Sequence, residues 1–110
     1  MDDKTWDAIS GLKDDAGKQM AGLMVRDFAN ALGAVADVTT FGAEKYAPSN
    51  WLHVHGAKDR YADALFRHLL AWAGGEEADE ESGMLHLSHA AWNIMAIIEL
   101  EMRGQRCQKP

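Results

Sequence analysis

Between Gly83 and Arg103 the chain runs without proline, and Met84, Leu87, Ala91, Ile94, Met95, Ile98 and Leu100 supply apolar side chains at helical spacing. His86, His89 and Asn93 fall at i, i+3 and i+7 of the same run, so all three project from one face. That polar stripe across an apolar helix is the strongest constraint in the sequence. An imidazole in such a stripe can bind a metal, hydrogen-bond a base or phosphate, or move a proton near neutral pH. Equally, each histidine can make a structural hydrogen bond in a half-buried seam.

The remaining segments punctuate themselves. A helix is expected from Ala21 to about Tyr46, with Leu23, Val25, Phe28, Leu32, Val35, Val38 and Phe41 on one broad buried face. Ala47-Pro48-Ser49-Asn50-Trp51 breaks it, because proline cannot continue helical hydrogen bonding. His53-Val54-His55-Gly56 follows as a loop. A second helix is predicted over Lys58 to Ala73, with Tyr61, Leu65, His68, Leu69 and Trp72 inward, ended by Gly74-Gly75. Glu76 to Glu81 then makes an acidic exposed connection, and Ser82 is placed to cap the last helix. Residues 1–20 read as an irregular arm, with a turn of helix near Trp6 to Leu12, and residues 104–110 as a loose polar tail. No alternating strand pattern or internal repeat is visible. The expectation is an all-α domain of three main helices with an N-terminal arm.

At 110 residues the chain fits a single domain, 1–110. Its formal net charge of −6 argues against a general nucleic-acid binder, which needs a basic surface to displace counterions. No apolar run approaches the ~20 residues of a membrane span. Met1-Asp2-Asp3-Lys4 lacks the features of a secretory signal. Cys107 is the one cysteine, so a reducing cytoplasmic setting is expected. A single layer of helices this size leaves apolar faces uncovered, so a homo-oligomer that completes the core is expected as well.

Candidate site residues cluster around the last two predicted helices. Asp79 and Glu81 lead into the His stripe, and carboxylates so placed suit Mg²⁺ or Mn²⁺, with phosphates as companions. A solvated acidic loop is the plainer reading of such a run. Lys18, Lys45, Arg60 and Arg67 offer the cationic half of an anion site, since a guanidinium presents a planar fork to phosphate. Arg60, Asp63 and Arg67 share a helical face and can also form an Arg–Asp–Arg ladder. His68 points away from Arg67, toward the last helix. Asn50 and Trp51 could hydrogen-bond and stack a nucleobase, although a tryptophan there more often plugs a core. There is no phosphate-binding glycine loop, no GxSxG and no paired-cysteine zinc spacing. His53 and His55 have no adjacent residue to complete a metal set.

These residues, in this order, resemble the phage and bacterial dATP/dGTP diphosphohydrolase family, which also occurs as the N-terminal region of some phage adenylosuccinate-synthase-like proteins. The resemblance rests on Asp15-Ala16-Gly17-Lys18, on Thr40 to Tyr46 with Asn50-Trp51, and on Arg60-Tyr61 through Arg67-His68-Leu69-Leu70-Ala71-Trp72. It ends with Asp79-Glu80-Glu81-Ser82-Gly83-Met84-Leu85-His86-Leu87-Ser88-His89. It implies a helical domain related to the MazG-like all-α nucleotide pyrophosphohydrolases. It also implies metal-dependent hydrolysis of purine deoxynucleoside triphosphates to monophosphate and pyrophosphate.

On that resemblance Asp79, Glu81, His86 and His89 are the catalytic candidates, with Asp79, Glu81 and His86 holding Mg²⁺ or Mn²⁺. Lys18, Lys45, Asn50, Trp51, Arg60, Arg67, His68 and Asn93 would contact the nucleotide. Two features depart from the pattern. Met20 stands where family members often carry arginine, and the ExxE…ExxD metal arrangement is missing: Glu77 and Glu80 lie in a predicted loop, and Glu99 is followed by Met102. The alternative is a binder that captures a nucleotide or nucleotide-derived signal without hydrolysing it.

Overall fold

Two helices of this chain end just before Pro48, which lacks a backbone donor, and just before Gly75, which takes a positive φ. The computed structural model of the protein describes residues 12–108, with side chains through residue 104. In order along the chain come α1 (Ala21–Asp27), α2 (Ala29–Lys45), a 3₁₀ turn (Asn50–His53), α3 (Ala57–Ala73) and α4 (His86–Gln108). No strand occurs among the described residues, and one isolated antiparallel bridge joins Ala78 to Leu85. The chain is all-α, as expected. No described helix is long and apolar enough to cross a membrane.

Three boundaries differ from expectation. The helix predicted from Ala21 to Tyr46 is interrupted at Phe28, whose φ −114° and ψ 26° leave the helical region. Leu23, Val25 and Phe28 are exposed, because among the described elements α1 packs chiefly against α2, and lightly. The last helix begins at His86 rather than Gly83, so Ser82 does not cap it. It also runs to Gln108, so residues 104–108 are helical rather than loose. The turn of helix expected near Trp6 falls outside the described residues, and Leu12 itself is not helical.

The packing is centred on α4, which lies mainly against α3 and less extensively against α2. Val38, Leu65, Ala90 and Ala96 are the buried apolar residues, and His86, Ser88, His89 and Asn93 are buried beside them. So α4 turns its polar stripe and its alanines inward, while Leu87, Ile94, Met95 and Ile98 face out. Trp72, expected inward on α3, is also 49% exposed. The radius of gyration is 18.9 Å, against about 13 Å for a compact chain near this length. The helices form an open layer.

The acidic connection is more ordered than its composition suggests. Gly75, at φ +100°, closes a Schellman turn after α3: its N–H donates to the Trp72 carbonyl, and the Glu76 N–H donates to Ala71. This sends Glu76 back toward α4. Further on, the Asp79 N–H donates to Met84 at 2.8 Å, and the His86 N–H donates to Glu77 at 2.9 Å. Gly83, at φ +73°, donates to Asp79 at 2.7 Å and turns the chain between them. A tight hairpin-like turn therefore delivers Asp79 and Ser82 to the start of α4.

Candidate functional site

Three imidazoles meet where α3 crosses the first turns of α4. His68 and His86 face each other through their Nδ1 atoms at 2.8 Å. His68 also stacks on His89, with ring centroids 4.5 Å apart and planes 6° from parallel. The His89 ring meets the edge of Phe41 at 6.4 Å. Ser82 closes the group: the Met84 N–H donates to its Oγ, which is also hydrogen-bonded with His89 Nε2 at 2.7 Å. The Ser82 N–H in turn donates to the Asp79 carboxylate at 2.9 Å. His86 Nε2 is buried without a hydrogen-bond partner and faces Glu76 Oε1 at 3.4 Å.

His68, Asp79 and His89 from this cluster line a cleft of about 830 Å³. Small-molecule pockets span roughly 300–1,000 Å³, so the space suits a nucleotide-sized ligand. Phe41, Lys45 and Tyr46 from the end of α2 line it, as do Asn50 and Trp51 from the 3₁₀ turn. From α3 come Arg60, Tyr61, Asp63, Arg67 and His68, and from the C-terminal half Asp79, Glu81, His89, Trp92 and Asn93.

Most of the residues expected from the sequence are thus in one place. Lys18 is not: it sits in an exposed turn of the arm, its N–H donating to Asp15, and does not line the cleft. His86 lies behind His68, 4% exposed and outside the cleft lining. Asn93 is buried, and its amide donates to the His89 carbonyl at 2.8 Å, which ties it to its own helix. Glu81 forms an ion pair with Lys45. One ligand atom each from His68, Asp79 and His86 lie within 4.8 Å of one another. His68, rather than Glu81, therefore joins Asp79 and His86. The Arg–Asp–Arg ladder is not formed: none of the described ion pairs joins Asp63 to Arg60 or Arg67.

The electrostatics follow from burial and neighbours. Burial pushes the His68 pKa down, and the adjacent His89 adds to the effect against the pull of Asp79. His89 is lowered too, again chiefly by burial. Burial would raise the Asp79 pKa, but the Ser82 backbone N–H and hydroxyl outweigh it and hold the carboxyl below its ordinary value. Lys45 is raised by its hydrogen bond to Glu81 and then by Tyr46. His68 and His89 are therefore set to be neutral beside an ionised Asp79.

Sequence reasoning missed part of this site. Trp51, Tyr61 and Trp92 form an aromatic group with centroids 5.5 to 6.4 Å apart, and the Tyr61 hydroxyl donates to the Trp51 carbonyl at 2.6 Å. Trp92 precedes Asn93 on α4 and carries no motif of its own. Glu76 belongs to a run that reads as solvated loop, and Ser82 reads as a helix cap. The turn that aims them is encoded by Gly75 and Gly83, whose positive φ is not visible from composition.

Comparison with known proteins agrees with this geometry in extent. The model of the family described as "dATP/dGTP diphosphohydrolase, N-terminal" matches residues 8–109. The chain is 36% identical over 93 residues to a protein of Salmonella phage PMBT28 named "dATP/dGTP diphosphohydrolase". That alignment covers 84% of this chain and 30% of the phage protein, so the chain spans under a third of that relative. No solved structure matches it. With the family's pattern running through every helix that lines the cleft, the chain belongs to the dATP/dGTP diphosphohydrolase N-terminal family.

Proposed function

We propose that the cleft binds a purine deoxynucleoside triphosphate and hydrolyses it to the monophosphate and pyrophosphate. The observation that carries this reading is the meeting, in one nucleotide-sized cleft, of Lys45, Arg60 and Arg67 with the Asp79–His68–His89 group and the aromatic pair Trp51 and Tyr61. The cationic side chains suit a triphosphate. Asn50 and Trp51, the first residues of the 3₁₀ turn, suit a base.

In this mechanism water attacks the α-phosphorus, the bond to the bridging oxygen breaks, and pyrophosphate leaves with that oxygen. His89, which lines the cleft and has a lowered pKa, takes the proton from the attacking water. Arg60 and Arg67 neutralise charge that builds on the departing pyrophosphate. Lys45 exchanges Glu81 for a phosphate oxygen, which an exposed ion pair permits. A divalent cation, Mg²⁺ or Mn²⁺, would neutralise phosphate charge and polarise the water when bound. Asp79 and His86 fit that task, because each presents a ligand atom to a common point. Glu81, paired with Lys45, does not. We further propose that the chain works as a homo-oligomer, an inference supported by the outward row of Leu87, Ile94, Met95 and Ile98.

A second reading is a nucleotide binder without hydrolysis. It is favoured by one observation: among the described residues, Asp79 is the one carboxylate in the His68–Asp79–His86 group. The deciding experiment incubates the protein with each dNTP and rNTP and the metal, then separates the products by anion exchange. Turnover of dATP or dGTP, lost with EDTA and in Asp79→Ala, supports the hydrolase. Retention of nucleotide without turnover supports the binder.

A further inference from the structure

We propose that His68, Asp79 and His86 form a binding centre for a divalent transition metal of the Zn²⁺, Co²⁺ or Mn²⁺ kind, oriented by Glu76. The proposal deepens the reading of the cleft given above, and its catalytic use rests on that reading. The metal site itself is carried by three features of the cluster.

The first is convergence. One ligand atom from each residue lies within 4.8 Å of the other two, although the residues come from α3, the acidic turn and α4. The second is the approach of the two imidazoles, whose Nδ1 atoms face each other at 2.8 Å. Two imidazoles that share one metal at about 2.0–2.1 Å each hold their nitrogens roughly 3 Å apart, so the pair needs only a few tenths of an ångström of adjustment. The third is the state of His86 Nε2. It is buried, has no hydrogen-bond partner, and faces the Glu76 carboxylate at 3.4 Å. A metal-bound histidine characteristically donates its second N–H to a carboxylate, which fixes the tautomer and the ring. Glu76 is brought there by the glycine turn at Gly75.

The donor set selects the metal. Mg²⁺ prefers oxygen ligands in a near-ideal octahedron, whereas two imidazoles and one carboxylate suit the borderline first-row ions. A second carboxylate would shift the balance toward Mg²⁺, but Glu81 is paired with Lys45. Because His68 and Asp79 line the cleft, the remaining coordination positions would open toward it, where a water or a phosphate oxygen can enter.

The test titrates metal-stripped protein with Co²⁺ in the absence of nucleotide, and reads the visible absorption that reports nitrogen ligation. Calorimetry with Zn²⁺, Mn²⁺ and Mg²⁺ accompanies it. The expected result is a single saturable Co²⁺ equivalent per chain that excess Mg²⁺ does not displace. His68→Gln should abolish the spectrum, and Glu76→Gln should weaken binding by about tenfold or more. Glu76 is exposed, so its variant should keep the metal-free melting temperature and separate lost binding from lost folding. Absence of saturable Co²⁺ binding, an unchanged spectrum in His68→Gln, or displacement by equimolar Mg²⁺ would each overturn the proposal. No nucleotide enters the titration, so such a result leaves the Mg²⁺-supported hydrolysis assay to stand or fall separately.

Discussion

His68 lies flat on His89, the two rings 4.5 Å apart and 6° from parallel. Stacked, partly buried imidazoles resist protonation, and both have lowered pKa values. In the unfolded chain each titrates near its ordinary value of about 6.5. Between that value and the lowered folded ones, the unfolded state binds more protons, so stability falls as pH falls. Above about pH 6.5 the contribution is fully present. We therefore expect the melting temperature to drop on acidification below that point, with a shallower slope in His68→Gln. A melting temperature that stays level or rises over this range would contradict the geometry.

The Lys45–Glu81 ion pair gives the second prediction. Both side chains are well exposed, so neither substitution should move the melting temperature. Glu81→Gln frees the ammonium and should lower KM for a nucleoside triphosphate. Lys45→Ala should raise KM by about tenfold, the size expected when a charged hydrogen bond to the ligand is lost. Steady-state kinetics on both variants decide the matter, and equal KM values would place Lys45 outside the site.

A third prediction concerns the aromatic wall. Tyr61→Phe deletes the hydrogen bond to the Trp51 carbonyl and should cost about 1 kcal/mol in urea unfolding. It should also loosen the 3₁₀ turn that carries Asn50 and Trp51, seen as faster exchange of the Leu52 amide, which donates to Ser49. An unchanged unfolding midpoint would show that the 2.6 Å contact contributes nothing.

The outward face of α4 yields a fourth. Leu87, Ile94, Met95 and Ile98 are each 44 to 52% exposed, on a chain whose buried apolar set is small. Sedimentation velocity should give a mass at least twice that of the 12.1 kDa chain. Ile94→Glu with Ile98→Glu should shift it to the monomer. A monomeric wild type would contradict the homo-oligomer.

Much of this was legible in the sequence, for reasons that are physical. Pro48 and the Gly74-Gly75 pair set helix ends through local backbone chemistry, so α3 begins and ends within a residue of expectation. The i, i+3, i+7 spacing of His86, His89 and Asn93 put them on one face whatever the packing. What periodicity could not tell was which face of α4 is inward. The apolar side chains there outnumber the polar ones, yet the histidines find partners on α3 and in the acidic turn, and so the polar stripe is buried. Phe28 likewise reads as a core residue because the pattern cannot reveal how little of the fold packs against α1. Glu81 was an equally good ligand candidate by composition; its ion pair with Lys45 is a long-range contact that spacing cannot encode.

The proposed reaction breaks the bond between the α- and β-phosphates of a purine deoxynucleoside triphosphate. Phosphorus NMR of dATP with the protein and Mn²⁺ tests it directly. The triphosphate resonances should give way to dAMP and pyrophosphate together, and Asp79→Asn should stop the change. Release of inorganic phosphate with dADP, or an unaltered triphosphate spectrum with folded protein, would contradict it.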